Sequence, residues 1–454
     1  MDFREQLDAY LTTALQQLKI PGIGVTIVRD AEVIYVGGYG EANIEHHAPV
    51  TADTIFHSAS LGKMFTAWCV LSLLQDGRIA LDDKLKKYLP EGPEAWSGVT
   101  IRHALSMTGG FGNFSDAFSP TCIHGEVIPQ NLWQDYSDDQ LLALSSLSPL
   151  LFEPGTSFHY SNIGYSLVSF VVARLYGKPY YELLKERLFR PIGMKSAREA
   201  TWFDIVPNRA AGYCSSGGGL MNSHWTAPAL LRGGEGGLYF SPRDLGCWLA
   251  ELDRPERLRQ DLVDLMFEPT PMQNGRPTYN GYALGWQNSE IRGHRKIRHG
   301  GTWAGFRGEI TRFPTRRLSV AVLANMEEAQ VGRIASDIAG IVDPELAPHK
   351  TIPESDAGLA GADRQLLSEI MANRPPESSF TDDAWRLWSD GWFAQVAGDK
   401  DPDLAATPPV LVDDHISGTG RQRSYRIPIG RYDLHWHVKR AADGRVDKMR
   451  FHSE

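Results

Sequence analysis

The sequence predicts an α/β protein followed by a small α+β domain. Three observations carry this. Strand hairpins lie near both ends of the first 345 residues, and long apolar helical segments lie between them. Near residue 350 the composition changes, and helical segments then give way to an antiparallel meander.

The elements follow in order. In "MDFREQLDAYLTTALQQL", Phe3, Leu7, Leu11, Leu15 and Leu18 recur at helical spacing and mark an amphipathic helix. Its early acids and broken apolar pattern are not those of a signal peptide, so the chain as written is expected in the cytoplasm; a removed leader would place it in the periplasm or outside the cell. "GIGVTIVRDAEVIYVGGYG" alternates Val25, Ile27, then Val33, Tyr35 around a turn at Arg29 to Ala31, a hairpin. "GKMFTAWCVLSLLQDG" is a long apolar helix closing near Gly77. "DDKLKKYLP" reads as a polar surface segment, and "TIRHALSMTGGFGNF" as a short helix entering a glycine loop. The irregular stretch from Phe114 to Leu147 reads as an active-site insertion. "YSNIGYSLVSFVVARLYG" is another helix with an apolar face. "EGGLYFSPRDLGCWLAEL" is a loop, then a helix capped by Ser241 or Asp244. "EITRFPTRRLSVAVLAN" is a hairpin whose second strand, Leu318 to Leu323, is apolar enough to lie centrally in a sheet.

The Pro-, Gly-, Asp- and Ala-rich stretch "TIPESDAGLAGADRQ" suggests a linker at 349–365 between a domain at 1–348 and one at 366–454. In the latter, "DDAWRLWSDGWFAQVAG" reads as helix. "RSYRIPIG", "YDLHWHVKRA" and "RVDKMRFHS" read as strands, with a turn at Asp443-Gly444.

The 454 residues are 42% hydrophobic and 22% charged, the composition of a globular enzyme, and the net charge of −9 argues against a nucleic-acid partner. No apolar run reaches the roughly 18 residues of a membrane span. Cys69, Cys122, Cys214 and Cys247 lack CxxC spacing and read as reduced thiols, with Cys69 in the core.

The chemistry centres on "FHSASLGK". Ser60 and Lys63 are about one helical turn apart, so a helix starting near Ser60 puts both on one face. Free backbone N–H groups at the helix start favour a developing anion, and an apolar wall lowers the lysine pKa and makes it a base for the serine. Such a pair alone is a weak signal, and an N-cap serine with an exposed lysine is the plainer reading. The strongly apolar helix that follows leaves no place for an exposed lysine. Two further stretches join it: "FHYSNIGYS" with Tyr160, Ser161 and Asn162, and "IRHGGTWAGFRGEI" with His299, Gly300 and Gly301 before a strand.

Taken in this order, SxxK, YxN and a His-Gly-Gly triplet resemble the serine hydrolases of the penicillin-binding-protein and class C β-lactamase type. "TIRHALSMTGG", "FEPGTSFHYSNIGY", "GGLYFSPRDL" and "FPTRRLSVAVLAN" match in kind and order, over about residues 5 to 345. The resemblance implies an antiparallel sheet flanked by helices plus a helical subdomain. It implies Ser60 as the acylated nucleophile, Lys63 and Tyr160 as the base pair, with the lysine charge lowering the tyrosine pKa, and Asn162 holding the Lys63 amine or the substrate amide. It also implies an oxyanion hole from the Ser60 and Thr302 backbone N–H groups, with Gly300 and Gly301 letting substrate approach a strand edge. His299 is a catalytic candidate that helps Tyr160 activate water.

The third motif departs from the pattern of lysine, hydroxyl residue and glycine. A neutral histidine and Gly300 weaken the case for substrates with a free carboxylate. They favour uncharged esters, amides or peptides cut from the amino end, as in the D-aminopeptidase, D-peptidase and esterase branch. The expected function is a serine hydrolase cleaving amide or peptide bonds, D-residues among them. The rivals are a carboxylesterase, an acyltransferase or peptide cyclase of the same fold, and a non-catalytic protein that binds peptidoglycan fragments or another ligand. The expected partner is a small-molecule or peptide substrate, with no metal and no cofactor. There is no GxSxG elbow, and "GGYGEA" and "GGGLMN" lack a phosphate-binding frame. His435 and His437 share a strand face that reads as partly exposed rather than metal-binding, and His46 and His47 would face opposite ways. Asp53 reads as a cap or turn residue. Trp303 and Phe306 either line the cleft or pack under the strand.

Overall fold

The computed structural model describes all residues except 1, 114–136, 202, 217–218, 224–232, 279–280, 292, 348–350, 373–374, 388–407, 418–419, 430–431 and 454. The chain divides into two compact units, Met1–Pro344 and Glu345–Glu454.

The first unit is built on a seven-stranded antiparallel sheet. Its strands are β1 (Gly22–Arg29), β2 (Glu32–Asn43), β3 (Ala48–Pro49), β9 (Gln287–Ile291), β10 (His294–Trp303), β11 (Phe306–Phe313) and β12 (Leu318–Ala324), in the order β3-β2-β1-β12-β11-β10-β9. Strand β12 lies at the centre and is buried throughout, as its unbroken apolar run requires. The β1–β2 hairpin turns through Asp30 and Ala31, both at positive φ, the geometry a tight hairpin demands.

Helices cover both faces of the sheet. Helix α1 (Phe3–Leu18) buries Leu7 and Leu11. It joins the helix Val331–Val342, where Tyr10 Oη donates to Asp337 Oδ2 at 2.6 Å. On the other face lies the helix Pro242–Asp253, with Thr26 Oγ1 donating to Pro242 O at 2.5 Å. Ser241 is its N-cap and Asp244 returns the bond, so the two candidate caps form one reciprocal capping box. The preceding "LYF" is not loop: Leu238–Phe240 is a short strand, paired with Phe56–His57 just upstream of Ser60.

A helical subdomain packs beside this sandwich. It contains α2 (Gly62–Gln75) and the helices Ile101–Leu105, Asp138–Leu147, Asn162–Tyr176 and Tyr180–Leu184, around Phe65, Trp68, Trp96 and Tyr165. The polar-looking "DDKLKKYLP" anchors there too, because Leu85 and Leu89 turn inward and are fully buried. Most of the stretch read as an insertion, along with Cys122, lies outside the described residues; its end is the helix Asp138–Leu147, capped by Ser137. Cys69, Cys214 and Cys247 are free thiols.

The second unit has a four-stranded antiparallel sheet of β13 (Val410–Ser417), β14 (Gly420–Ile429), β15 (Tyr432–Arg440) and β16 (Val446–Ser453). Three of these match the strand-like runs; β13 is an addition. The helix Ala357–Met371 packs on the sheet through Leu366, Leu367 and Ile370. It begins inside the stretch read as a linker, because Asp356 caps it and Ala360 and Asp363 are buried in it. Of the second helical stretch, Asp382–Leu387 is described as helix. His435 is buried rather than on a partly exposed face, while His437 shares a 2.7 Å hydrogen bond with Ser424 Oγ. Among the described residues no helix is long and apolar enough to cross a membrane, and no group of three or more His, Cys, Asp and Glu could hold a metal ion.

Candidate active site

Ser60 sits in a single 3₁₀ turn, Ala59–Leu61, immediately before α2. Ala59 has φ of +47°, a conformation an L-residue adopts at a cost of about 1–3 kcal/mol unless its surroundings impose it. The surroundings here do so. The Ala59 N–H donates to His57 Nδ1 at 2.9 Å, and Ser58 Oγ donates to Gly236 O at 2.6 Å. A Cβ on Gly236 would lie 2.6 Å from Ala59 O, so only glycine lets that loop close on the turn. Burial holds the His57 imidazole neutral, its pKa down to about 3, which preserves Nδ1 as an acceptor.

Lys63 lies one turn on and is completely buried. Its Nζ is 3.0 Å from Ser60 Oγ, 2.7 Å from Asn162 Oδ1 and 2.8 Å from Glu235 O. The two carbonyl oxygens can only accept, so they hold two N–H bonds. The remaining tetrahedral position of the nitrogen points at Ser60 Oγ. Burial pushes the lysine pKa from 10.5 down to about 7, with the nearby Glu235 carboxylate opposing the shift.

Tyr160 packs, half-buried, against the same group. Lys63 Nζ lies 4.9 Å from the centre of its ring. The expected lowering of its pKa by a lysine charge is not found. Burial raises the pKa of the phenol, and the polar neighbour Ser60 offsets only part of this. Tyr160 and Asn162 are pinned from below by Asn113, whose Nδ2 donates to Tyr160 O and whose Oδ1 accepts the Asn162 N–H, both at 2.8 Å. Ser161, between them, caps the helix Asn162–Tyr176 and donates to Gly112 O at 2.6 Å.

Strand β10 brings the third motif. It is not the sheet's edge strand, but β9 pairs with it only from His294 to Arg298. The segment from His299 to Trp303 has β11 on one side and the Ser60 turn on the other. A Cβ on Gly301 would lie 2.9 Å from Ser58 O and 3.0 Å from Ser60 N. Thr302, the next residue, is exposed. His299 is buried with both ring nitrogens engaged. Gly300 O can only accept, so the Nδ1 at 2.7 Å donates to it; Nε2 then accepts from Tyr282 Oη at 3.1 Å. Burial and the Lys63 charge hold its pKa down to about 3, so the imidazole is neutral. Trp303 stacks on His57, and Phe306 meets Phe56 edge to face, so both pack beneath the turn. Asp53 is a turn residue paired with Arg243 at 2.7 Å, and His47 pairs with Glu41.

Ser60, Lys63, Tyr160, Asn162 and the His299–Thr302 segment thus converge on one locus. His57, Asn113, Ser166, Glu235 and Tyr282 join them without having been singled out in the sequence. The glycines flanking Glu235 were the one visible sign that its loop packs closely.

Residues 7–341 match the Beta-lactamase family. The chain belongs to that family. Among beta-lactamase-family relatives, a D-aminopeptidase from Gluconobacter oxydans is 28% identical over 375 residues, 79% of this chain and 68% of that protein. The chain spans about two thirds of the length of the curated relatives it matches. Among solved structures, an octameric penicillin-binding protein homologue from Pyrococcus abyssi shares the fold with a TM-score of 0.67 at 20% identity, covering 98% of this chain and 95% of that one. A D-amino acid amidase from Ochrobactrum anthropi SV3 does so with a TM-score of 0.64 at 20% identity, over 76% and 99%. The family is one of serine hydrolases.

Proposed function

We propose that the protein hydrolyses amides or peptides through an acyl-enzyme on Ser60, with a preference for D-residues. The observation that carries this is the 3.0 Å approach of Lys63 Nζ to Ser60 Oγ, with the amine's other directions fixed by Asn162 and Glu235. With its pKa near 7, Lys63 supplies a lone pair at neutral pH. The Ser60 proton passes to Lys63 Nζ while Oγ bonds to the carbonyl carbon. The oxyanion is received by the Ser60 and Thr302 N–H groups. Collapse breaks the bond to the amine, which takes up a proton relayed from Lys63 by Tyr160. Water reverses the sequence and frees the acid. Tyr160 keeps its proton at rest, because burial disfavours the phenolate.

His299 acts as a neutral wall rather than as an acid or base, since both nitrogens are committed. A neutral imidazole and a bare Gly300 offer no charge to a substrate carboxylate. This favours an uncharged group at that end, and the likeness to a D-aminopeptidase and a D-amino acid amidase supports an amide substrate.

The test combines a fluorophosphonate probe with D- and L-phenylalanine amide, p-nitrophenyl butyrate and nitrocefin. Ser60 should take the label and Ser60→Ala should not, and the D-amide should be turned over at least about tenfold faster than the L-amide. Ester turnover alone would move the assignment to a carboxylesterase or acyltransferase. Nitrocefin turnover would overturn the argument from His299. Absence of label on Ser60 would leave a binding protein.

Gly301→Ala should slow probe labelling by about 10- to 100-fold, because the new methyl displaces the Ser60 turn by a fraction of an ångström. The melting temperature should stay within a few degrees of wild type; comparing labelling rates and thermal melts checks both.

A further inference from the structure

We infer that Glu235 is a positioning residue for the Ser60–Lys63 pair. Its carboxylate is the fixed countercharge against which Lys63 becomes an ammonium when Ser60 gives up its proton. The inference rests on the acyl-enzyme reading above.

Glu235 is buried, in the loop between the described residues Gly233 and Gly237. Its backbone carbonyl accepts from Lys63 Nζ at 2.8 Å, which ties loop and amine together. Its side chain turns back into the protein, where Ser166 Oγ donates to Oε2 at 2.7 Å. Ser166 lies one helical turn after Asn162, which holds the same amine at 2.7 Å. The loop is pinned again by Thr66, on α2 one turn after Lys63, which donates to Gly234 O at 2.5 Å. A carboxylate carried this far into the core costs several kcal/mol unless a positive charge answers it. Among the described residues, the groups whose charges bear on it include Lys63 on α2, Asp138 at the start of its helix, and the phenols of Tyr160 and Tyr180. Among these described groups Lys63 is the cation; burial pushes the Glu235 carboxyl above its usual range, and the Ser166 hydrogen bond and the Lys63 charge act against that rise.

The arrangement parallels the logic of a serine–base–carboxylate triad, in which the acid is never protonated by the base but stabilises the charge the base acquires. In the acylation step the O–H bond of Ser60 breaks, the N–H bond of Lys63 forms and Oγ bonds to the acyl carbon. The positive charge appears on Nζ, beside Glu235, and leaves when the proton passes to the departing amine. Glu235 gains and loses nothing in the cycle.

The test is the pH dependence of Ser60 labelling by the fluorophosphonate probe in wild type, Glu235→Gln, Glu235→Asp and Ser166→Ala. Losing the countercharge makes Lys63 easier to deprotonate and a weaker base. In Glu235→Gln the acid limb should therefore move down by about one pH unit, and the plateau rate should fall about tenfold. Glu235→Asp should return the limb toward wild type. Ser166→Ala, which keeps the loop intact if the Gln variant does not fold, should move the limb in the same direction by less. An unmoved limb in Glu235→Gln and Ser166→Ala, with Ser60 still labelled in wild type, would overturn the inference and leave the acyl-enzyme reading standing. A wild type that fails to label at Ser60 would overturn both.

Discussion

Lys63→Met should slow acylation of Ser60 by about 10⁴-fold, ~5.5 kcal/mol in the barrier, measured as the rate of probe labelling. The size follows from the proposed mechanism, in which Lys63 is the one effective base among the described residues of the site. Tyr160 cannot replace it, because burial holds the phenol protonated. His57 and His299 cannot either, because each is neutral with its acceptor nitrogen already taken by a hydrogen bond. Measured as amide turnover, combining Lys63→Met with Ser60→Ala should cost little beyond either alone, since groups that act on one proton transfer are not additive. In wild type the labelling rate should rise with pH through about 7, where Lys63 loses its proton, and that limb should be missing from the variant.

The same substitution separates activity from stability. In the folded protein Lys63 titrates near 7, below its ordinary 10.5. Between those values the unfolded chain holds the proton and the folded chain does not, so unfolding takes up a proton and stability rises with pH. Below about 7 both states hold it, and the cost of the buried ammonium is then constant. The unfolding free energy of wild type relative to Lys63→Met should therefore climb by on the order of 3 kcal/mol from pH 7 to pH 10, read by urea denaturation at each pH. A flat difference would mean that Lys63 stays charged in the fold and that the base must be sought elsewhere.

What the sequence made legible follows from which contacts are local. Ser60 and Lys63 are three residues apart, and helix geometry alone places them together. Tyr160 and Asn162 flank a helix cap, and His299 to Thr302 run along one strand. Glu235 reaches Lys63 across 172 residues, and Asn113 reaches Asn162 across 49. A single acid or amide in a glycine-rich loop has no periodicity to mark it as buried. The raised pKa of Tyr160 has the same origin: it depends on how far the fold excludes water around the phenol, and the YxN spacing says nothing of that. In the second unit, β13 was obscured by Asp413 and Asp414 in mid-strand. Asp414 is accommodated because Arg421 on the neighbouring strand meets its carboxylate with two nitrogens, at 2.6 and 2.7 Å.

Asp363 concentrates the buried charge of the second unit, and Asp363→Asn should destabilise residues 345–454 by about 3–5 kcal/mol. The residue lies in the stretch whose composition suggested a linker, yet its carboxylate is fully buried. Arg423 Nη1 reaches it at 3.2 Å, Arg440 Nη2 at 2.6 Å and Tyr425 Oη at 2.5 Å. Arg423 is itself almost wholly buried, with a second partner in Glu354. Two guanidinium groups have thus been taken out of water toward one acid. The asparagine keeps the shape but removes the charge, leaving them facing an amide that can donate as well as accept. The cost arises mainly from the cations left behind rather than from the bonds lost. Two measurements would show this: a lower urea midpoint, and faster amide hydrogen exchange in the Ala357–Met371 helix and in strands β14 and β15. Adding Arg440→Gln should then cost less than its effect in the wild-type background, because it removes one of the orphaned charges. If the two substitutions were instead additive, Asp363 would be holding the helix by shape alone, and the buried charges would have to be satisfied by Glu354 and Asp414.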